Sequence, residues 1–258
     1  MRKLLLSVLI LVASSFTFAA EGKQVTYRSG DEQISAMLYM PAAASSSTGK
    51  AKAGKLPAII LIHEWWGLND QIKGLASQWA DDGYVTLAVD LYRGKSTTDP
   101  EEAHELMRGL PDDRAVRDLR AAFTYLTHQP QVDARRIGVM GWCMGGGFAL
   151  ELALAEPHIA AVAMNYGHLV TDVNTLKKLH APLLGLFGGQ DRGILPADVK
   201  KFEARLKKLG KNVEIKIYDD TGHAFQNPNN KQGYNAADTA DAQKLQHAFF
   251  ARTLKKAK

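Results

Sequence analysis

From Pro57 onward, short apolar runs recur at Ala58–Ile62, Val85–Val89, Ile137–Met140, Ala160–Met164, Leu183–Phe187 and Val213–Tyr218. Most are almost continuously apolar, which suits parallel strands covered on both faces. Between them, amphipathic stretches near Gln71–Asp82, Pro100–Arg108, Asp112–His128, Gly147–Ala155, Ala197–Leu209 and Ala236–Leu254 predict helices. Strand–helix alternation predicts an α/β fold, a doubly wound and mostly parallel sheet with helices on both faces. Ligands are then expected at the C-terminal ends of the strands. Upstream, Gln24–Ser29 and Ile34–Met40 read as an N-terminal β-hairpin around the turn Ser29-Gly30-Asp31-Glu32. The stretch at about 41–56, rich in Ala, Ser, Gly and Lys, has no periodicity and reads as a flexible surface loop. One α/β domain is expected over residues 21–258.

Residues 1–20 break this pattern. Arg2 and Lys3 precede an apolar run from Leu4 to Val12, and small residues follow at Ser14, Ser15, Thr17, Ala19 and Ala20. This is the arrangement of a secretory signal peptide, with cleavage after Ala19 or Ala20 and a periplasmic or secreted product. The run is too short to span a bilayer comfortably, so no stable membrane insertion is expected after cleavage. The formal charge is +5, and +3 without residues 1–20. Lysines cluster near Lys50–Lys55, Lys200–Lys211 and Lys255–Lys258, without any nucleic-acid-binding motif. Solvated faces explain them more simply than a nucleic-acid patch.

The chain has one cysteine. It can form no intrachain disulfide, and a lone thiol in an oxidising compartment is a liability unless buried or useful. Cys143 lies in Ile137-Gly138-Val139-Met140-Gly141-Trp142-Cys143-Met144-Gly145-Gly146-Gly147, where a strand runs through glycines into a helix. This is the nucleophile elbow with sulfur in place of a hydroxyl. A phosphate-binding loop would end in Gly-Lys-Ser/Thr, which is absent. The helix N-terminus favours a thiolate, and the Met144 N–H is placed to meet a developing oxyanion. Asp191 follows the strand Leu183–Phe187, and His223 follows the strand Val213–Tyr218. Alone, each is a common loop residue. Together, Cys143, Asp191 and His223 follow the order nucleophile, acid, base along one sheet edge. His223 would take the thiol proton and Asp191 would orient the imidazole. His63-Glu64 after the first core strand lacks the second histidine of a zinc motif, so no metal and no other cofactor is expected.

The segments H-E-W-W-G-L-N (63–69), V-D-L-Y-R-G (89–94), G-W-C-M-G-G (141–146), G-G-Q-D (188–191) and T-G-H-A-F (221–225) together resemble the dienelactone hydrolase family, from about Ile34 to Leu254. The resemblance implies an α/β-hydrolase fold and hydrolysis of a carboxylic ester or lactone. It implies a Cys/Asp/His triad at Cys143, Asp191 and His223, and a glutamate at Glu64 that contacts the resting thiol. It further implies oxyanion N–H groups at Trp65 and Met144. Arg93, Trp66 and Trp142 are the expected substrate-contacting side chains. The family's carboxylate clamp is not reproduced. Arg93 stands one residue early, Asn227 occupies the second arginine position, and Ala224 stands where a serine is usual. These departures leave open whether dienelactone itself is a substrate. A small-molecule ester or lactone is the expected partner, acted on by a monomer. The alternatives are a non-catalytic binding protein derived from the family, or a small peptidase or thioesterase on the same fold.

Overall fold

A computed structural model describes residues 20–41 and 54–255. The expected leader therefore lies outside the described residues except for Ala20, as does the expected loop over 42–53. Among the described residues, eight strands form one sheet: β1 (Gly22–Ser29), β2 (Glu32–Tyr39), β3 (Leu56–Ile62), β4 (Val85–Val89), β5 (Val132–Trp142), β6 (Ala161–Asn165), β7 (Leu183–Gly188) and β8 (Val213–Tyr218). Their order is β1-β2-β4-β3-β5-β6-β7-β8. Strands β3 to β8 run parallel, and the hairpin β1–β2 joins antiparallel through β4. This is the α/β-hydrolase fold.

Among the described residues, seven helices connect and cover the sheet: α1 (Asp70–Asp81), α2 (Pro100–Arg108), α3 (Asp112–Thr127), α4 (Met144–Ala155), the single turn α5 (Val173–Leu176), α6 (Pro196–Lys208) and α7 (Ala236–Phe250). The expected last helix ends early, because Ala251–Lys255 widens into a π-helical turn. The turn α5 was not expected from sequence; at four residues it is too short to show a period. α4 starts at Met144, three residues ahead of the periodic stretch, because its first turn is glycine rather than apolar.

Side chains alternate across β3, so its two halves build two cores. Ile60 and Ile62 pack with Leu119, Leu150 and Phe202 of α3, α4 and α6. Ile59 and Leu61 pack with Trp79 and Phe250 of α1 and α7. Strand order reverses between β3 and β5, which opens a crevice at their C-terminal ends. Residues 63–67 and 143 emerge there. The N-terminal hairpin is tied down by buried Asp118 of α3. It accepts from Ser29 Oγ at 2.6 Å and pairs with Arg93 at 2.7 Å.

Candidate active site

Cys143 joins β5 to α4 with φ 53° and ψ −120°, a conformation that side chains rarely adopt. Two glycines let the chain make this turn. A Cβ on Gly141 would lie 2.0 Å from the Gly145 carbonyl oxygen, and one on Gly145 would lie 2.3 Å from that of Ile62. The Cys143 N–H donates to the Asn165 carbonyl at 3.0 Å, which pins the turn to the end of β6.

The thiol Sγ lies 3.1 Å from His223 Nε2, and His223 Nδ1 lies 2.7 Å from Asp191 Oδ2. The structure thus joins three residues that are 80 and 32 positions apart along the chain. Asp191 is buried, and its other oxygen accepts the N–H groups of Gly193 and Ile194 at 2.8 and 2.9 Å. Burial opposes its charge, but the bonds from His223 and these amides hold it below the usual carboxylate range. Burial likewise opposes a charged His223, yet hydrogen bonds and charge from Asp191 and Cys143 prevail and raise it to about 10. Such a ring is a cation at neutral pH, poised beside the sulfur.

Glu64 follows β3 and is buried at the crevice. Tyr166 Oη donates to its Oε1 at 3.3 Å, and Asn227 Nδ2 donates to its Oε2. Burial outweighs these bonds and the His223 charge, lifting Glu64 to about 7. Glu64 and Cys143 line the same cavity, and the thiol's hydrogen bond goes to His223.

The crevice opens into a cavity of about 620 Å³ lined by Glu64, Trp65, Trp66, Met107, Cys143 and His223, with Ala224, Asn227 and 229–232 along one side. Trp65 and Trp66 meet with ring centroids 4.7 Å apart, and His104 of α2 sets its ring edge-on to Trp65. Met144 opens α4, so its N–H has no intrahelical acceptor. Lys231 is the one lysine or arginine lining this cavity among the described residues.

Two expected substrate contacts lie elsewhere. Arg93 (φ 59°) turns its guanidinium to Asp118 and Glu32, away from the cavity. A carboxylate as buried as Asp118 requires a cation, and Arg93 supplies it. Trp142 is buried in the core that contains Trp79 of α1 and Phe250 of α7, and does not line the cavity. Its indole donates to Gln226 Oε1 at 3.3 Å. Gln226 and Gln246 both donate to Asn165 Oδ1, at 3.0 and 2.8 Å, and Asn165 donates to the Gly141 carbonyl at 3.0 Å. This buried amide network ties the His223 loop to the Cys143 turn. Sequence reasoning missed it, and missed Tyr166. The position of Tyr166 directly after β6 was the one available signal. Met107 reaches the cavity from α2 and carries no sequence signal of a site.

Comparison with known proteins decides the family. The sequence profile of the Dienelactone hydrolase family matches residues 43–254. The chain belongs to the dienelactone hydrolase family. A Salmonella typhimurium protein provisionally named a carboxymethylenebutenolidase is 31% identical over 217 residues, covering 79% of this chain and 80% of that protein. The crystal structure of a provisionally assigned dienelactone hydrolase from Klebsiella pneumoniae matches with a TM-score of 0.79 at 26% identity, over 91% of this chain and all of that one. A dienelactone hydrolase-like promiscuous phosphotriesterase from metagenomic libraries matches with a TM-score of 0.81 over 92% and 99% of the two chains. At 22% identity it shares the fold. Family membership makes this chain a dienelactone hydrolase-like hydrolase.

Proposed function

We propose that the protein hydrolyses small carboxylic esters or lactones, with Cys143 as nucleophile, His223 as acid and base, and Asp191 orienting the imidazole. The observation that carries this reading is the hydrogen-bonded line Sγ–Nε2 and Nδ1–Oδ2, at 3.1 and 2.7 Å, above the strand ends. With His223 raised to about 10, its ring holds beside the sulfur the proton that it later gives to the leaving group. The sulfur attacks the carbonyl carbon, and the N–H groups of Trp65 and Met144 receive the charge on oxygen. Collapse breaks the C–O bond, and His223 Nε2 gives its proton to the departing alkoxide. A water then gives a proton to His223 and adds to the thioester, and departure of the sulfur breaks the C–S bond and frees Cys143. Asp191 stays charged throughout and stabilises the imidazolium.

On one side the cavity offers apolar walls to an acyl group. Trp65, Trp66 and Met107 are apolar surface, and the amide at 227 is engaged with Glu64 rather than free to meet a carboxylate. Short aryl esters should therefore be turned over faster than dienelactone. Hydrolysis of p-nitrophenyl acetate by the wild type and Cys143→Ala tests the reading. Loss of nearly all activity is expected in the variant, and equal rates would refute a cysteine nucleophile.

Export of the protein belongs to the same proposal. It is supported by Ala20, which is buried and donates its N–H to Asp81 Oδ1 at 3.0 Å while accepting from Ser77 Oγ at 2.9 Å. Cleavage after Ala19 would leave an α-ammonium group at that carboxylate, whereas cleavage after Ala20 would discard the contact. The intact mass of protein recovered from the periplasm or medium should therefore begin at Ala20. A full-length mass in the cytoplasm would refute export.

A further inference from the structure

We infer that His63 is a positioning residue for the oxyanion site, holding the Glu64–Trp65 peptide so that the Trp65 N–H is turned toward the reacting carbonyl. The inference rests on the ester-hydrolase reading above and adds to it a residue that touches neither substrate nor thiol.

His63 ends β3 and is wholly buried. The Leu91 N–H donates to its Nε2 at 3.2 Å. An N–H can only donate, so Nε2 carries no proton and the ring's hydrogen sits on Nδ1. Nδ1 lies 2.6 Å from the Glu64 carbonyl oxygen and therefore donates to it. The same oxygen accepts the Gly67 N–H at 3.3 Å, which closes the turn that carries both tryptophans. Burial disfavours a charged His63, in keeping with the neutral tautomer.

The Glu64–Trp65 peptide is trans, so its C=O and N–H point in opposite directions. Fixing the carbonyl on His63 fixes the N–H on the other side of the peptide plane. A donor held this way needs no reorganisation when charge develops on the substrate oxygen. The brace extends to the second donor. The Tyr92 ring packs edge-on against the imidazole at 4.9 Å, and its hydroxyl donates to Met144 Sδ at 3.2 Å. Residues 91 and 92, after β4, thus support both arms of the oxyanion site.

Two substitutions separate the two bonds of the ring. In His63→Asn the side-chain amide nitrogen can occupy the place of Nδ1 and still donate to Glu64, while the acceptor for Leu91 is lost. In His63→Gln the longer amide can accept from Leu91, while the donor to Glu64 is lost. The readouts are kcat and KM for p-nitrophenyl acetate, thermal unfolding, and inhibition by a short aliphatic aldehyde. The aldehyde forms a hemithioacetal with Cys143, and its oxygen then occupies the oxyanion position. His63→Gln should lose about 10- to 100-fold in kcat and in aldehyde affinity with KM changed less than about 3-fold, whereas His63→Asn should keep both within about 3-fold. Equal losses in the two variants, or losses that follow only the folded fraction, would overturn the inference. A test that needs no variant is the ¹⁵N spectrum of the wild-type histidines. It should show His63 as the Nδ1–H tautomer, and an Nε2–H tautomer or a cation would overturn the inference even if the variants fail to fold. If Cys143→Ala remains fully active, the cysteine-nucleophile reading itself fails, whatever the His63 variants do.

Discussion

Glu64→Gln should stabilise the protein at alkaline pH and have little effect at acid pH. The carboxyl is buried and raised from its ordinary 4.5 to about 7, with burial as the main cause. A raised carboxyl holds its proton more tightly in the native state than in the unfolded one. Its contribution to stability is fully present below about pH 4.5 and is lost as pH rises through about 7. At about 1.4 kcal/mol for each pH unit of displacement, the ionised Glu64 costs about 3 kcal/mol at pH 8.5 and under about 1 kcal/mol at pH 5. Glutamine is isosteric and uncharged. Its carbonyl can accept from Asn227, and its amide can donate to Tyr166, the two present partners of the carboxyl. Urea unfolding of both proteins at pH 5 and pH 8.5 gives the comparison. The advantage of the variant should grow by about 2–3 kcal/mol between the two conditions. A difference independent of pH, or one that shrinks as pH rises, would refute the claim that Glu64 is held against its charge.

Asp191→Asn removes the bond that raises His223, so the alkaline limb of the kcat/KM profile should move toward acid pH and kcat should fall by about 10²- to 10⁴-fold; an unshifted limb would contradict the assignment. Arg93→Met should cost about 3 kcal/mol in denaturant unfolding, because buried Asp118 loses its closest cation, while KM for a small ester stays unchanged. A raised KM would return Arg93 to the substrate. Gly145→Ala places a Cβ 2.3 Å from a backbone oxygen that cannot move without displacing β3. Its expected cost exceeds about 4 kcal/mol, visible as loss of soluble folded protein, and near-normal thermal unfolding would contradict the tight-turn geometry.

Much of this molecule is written in its linear pattern. Apolar runs such as Ala58–Ile62 and Leu183–Phe187 are strands because both faces are covered, and burial on both faces needs no knowledge of the partner. The glycines flanking Cys143 mark a turn that only residues without a Cβ can make. The order of Cys143, Asp191 and His223 along the chain, each after its own strand, was enough to bring them together as candidates, because parallel strands put all such ends on one edge. The family was legible in the same segments.

The choice of partner for each polar side chain was decided only by the folded chain. Arg93 stood in the sequence near a plausible substrate position, but the nearest buried charge is Asp118, on a helix that covers the opposite side of its turn. Trp142 and Cys143 are neighbours in sequence, yet one anchors Gln226 and the other lines the cavity. Asn227 lies 163 residues from Glu64, yet its amide sets the carboxyl's environment. His63 looked like half of a metal motif and instead became a peptide clamp when Leu91 arrived from the next strand. Periodicity reports which face of an element is dry. Whether a buried donor, acceptor or charge is satisfied depends on which loop reaches it, and that is set by the packing of distant segments against one another.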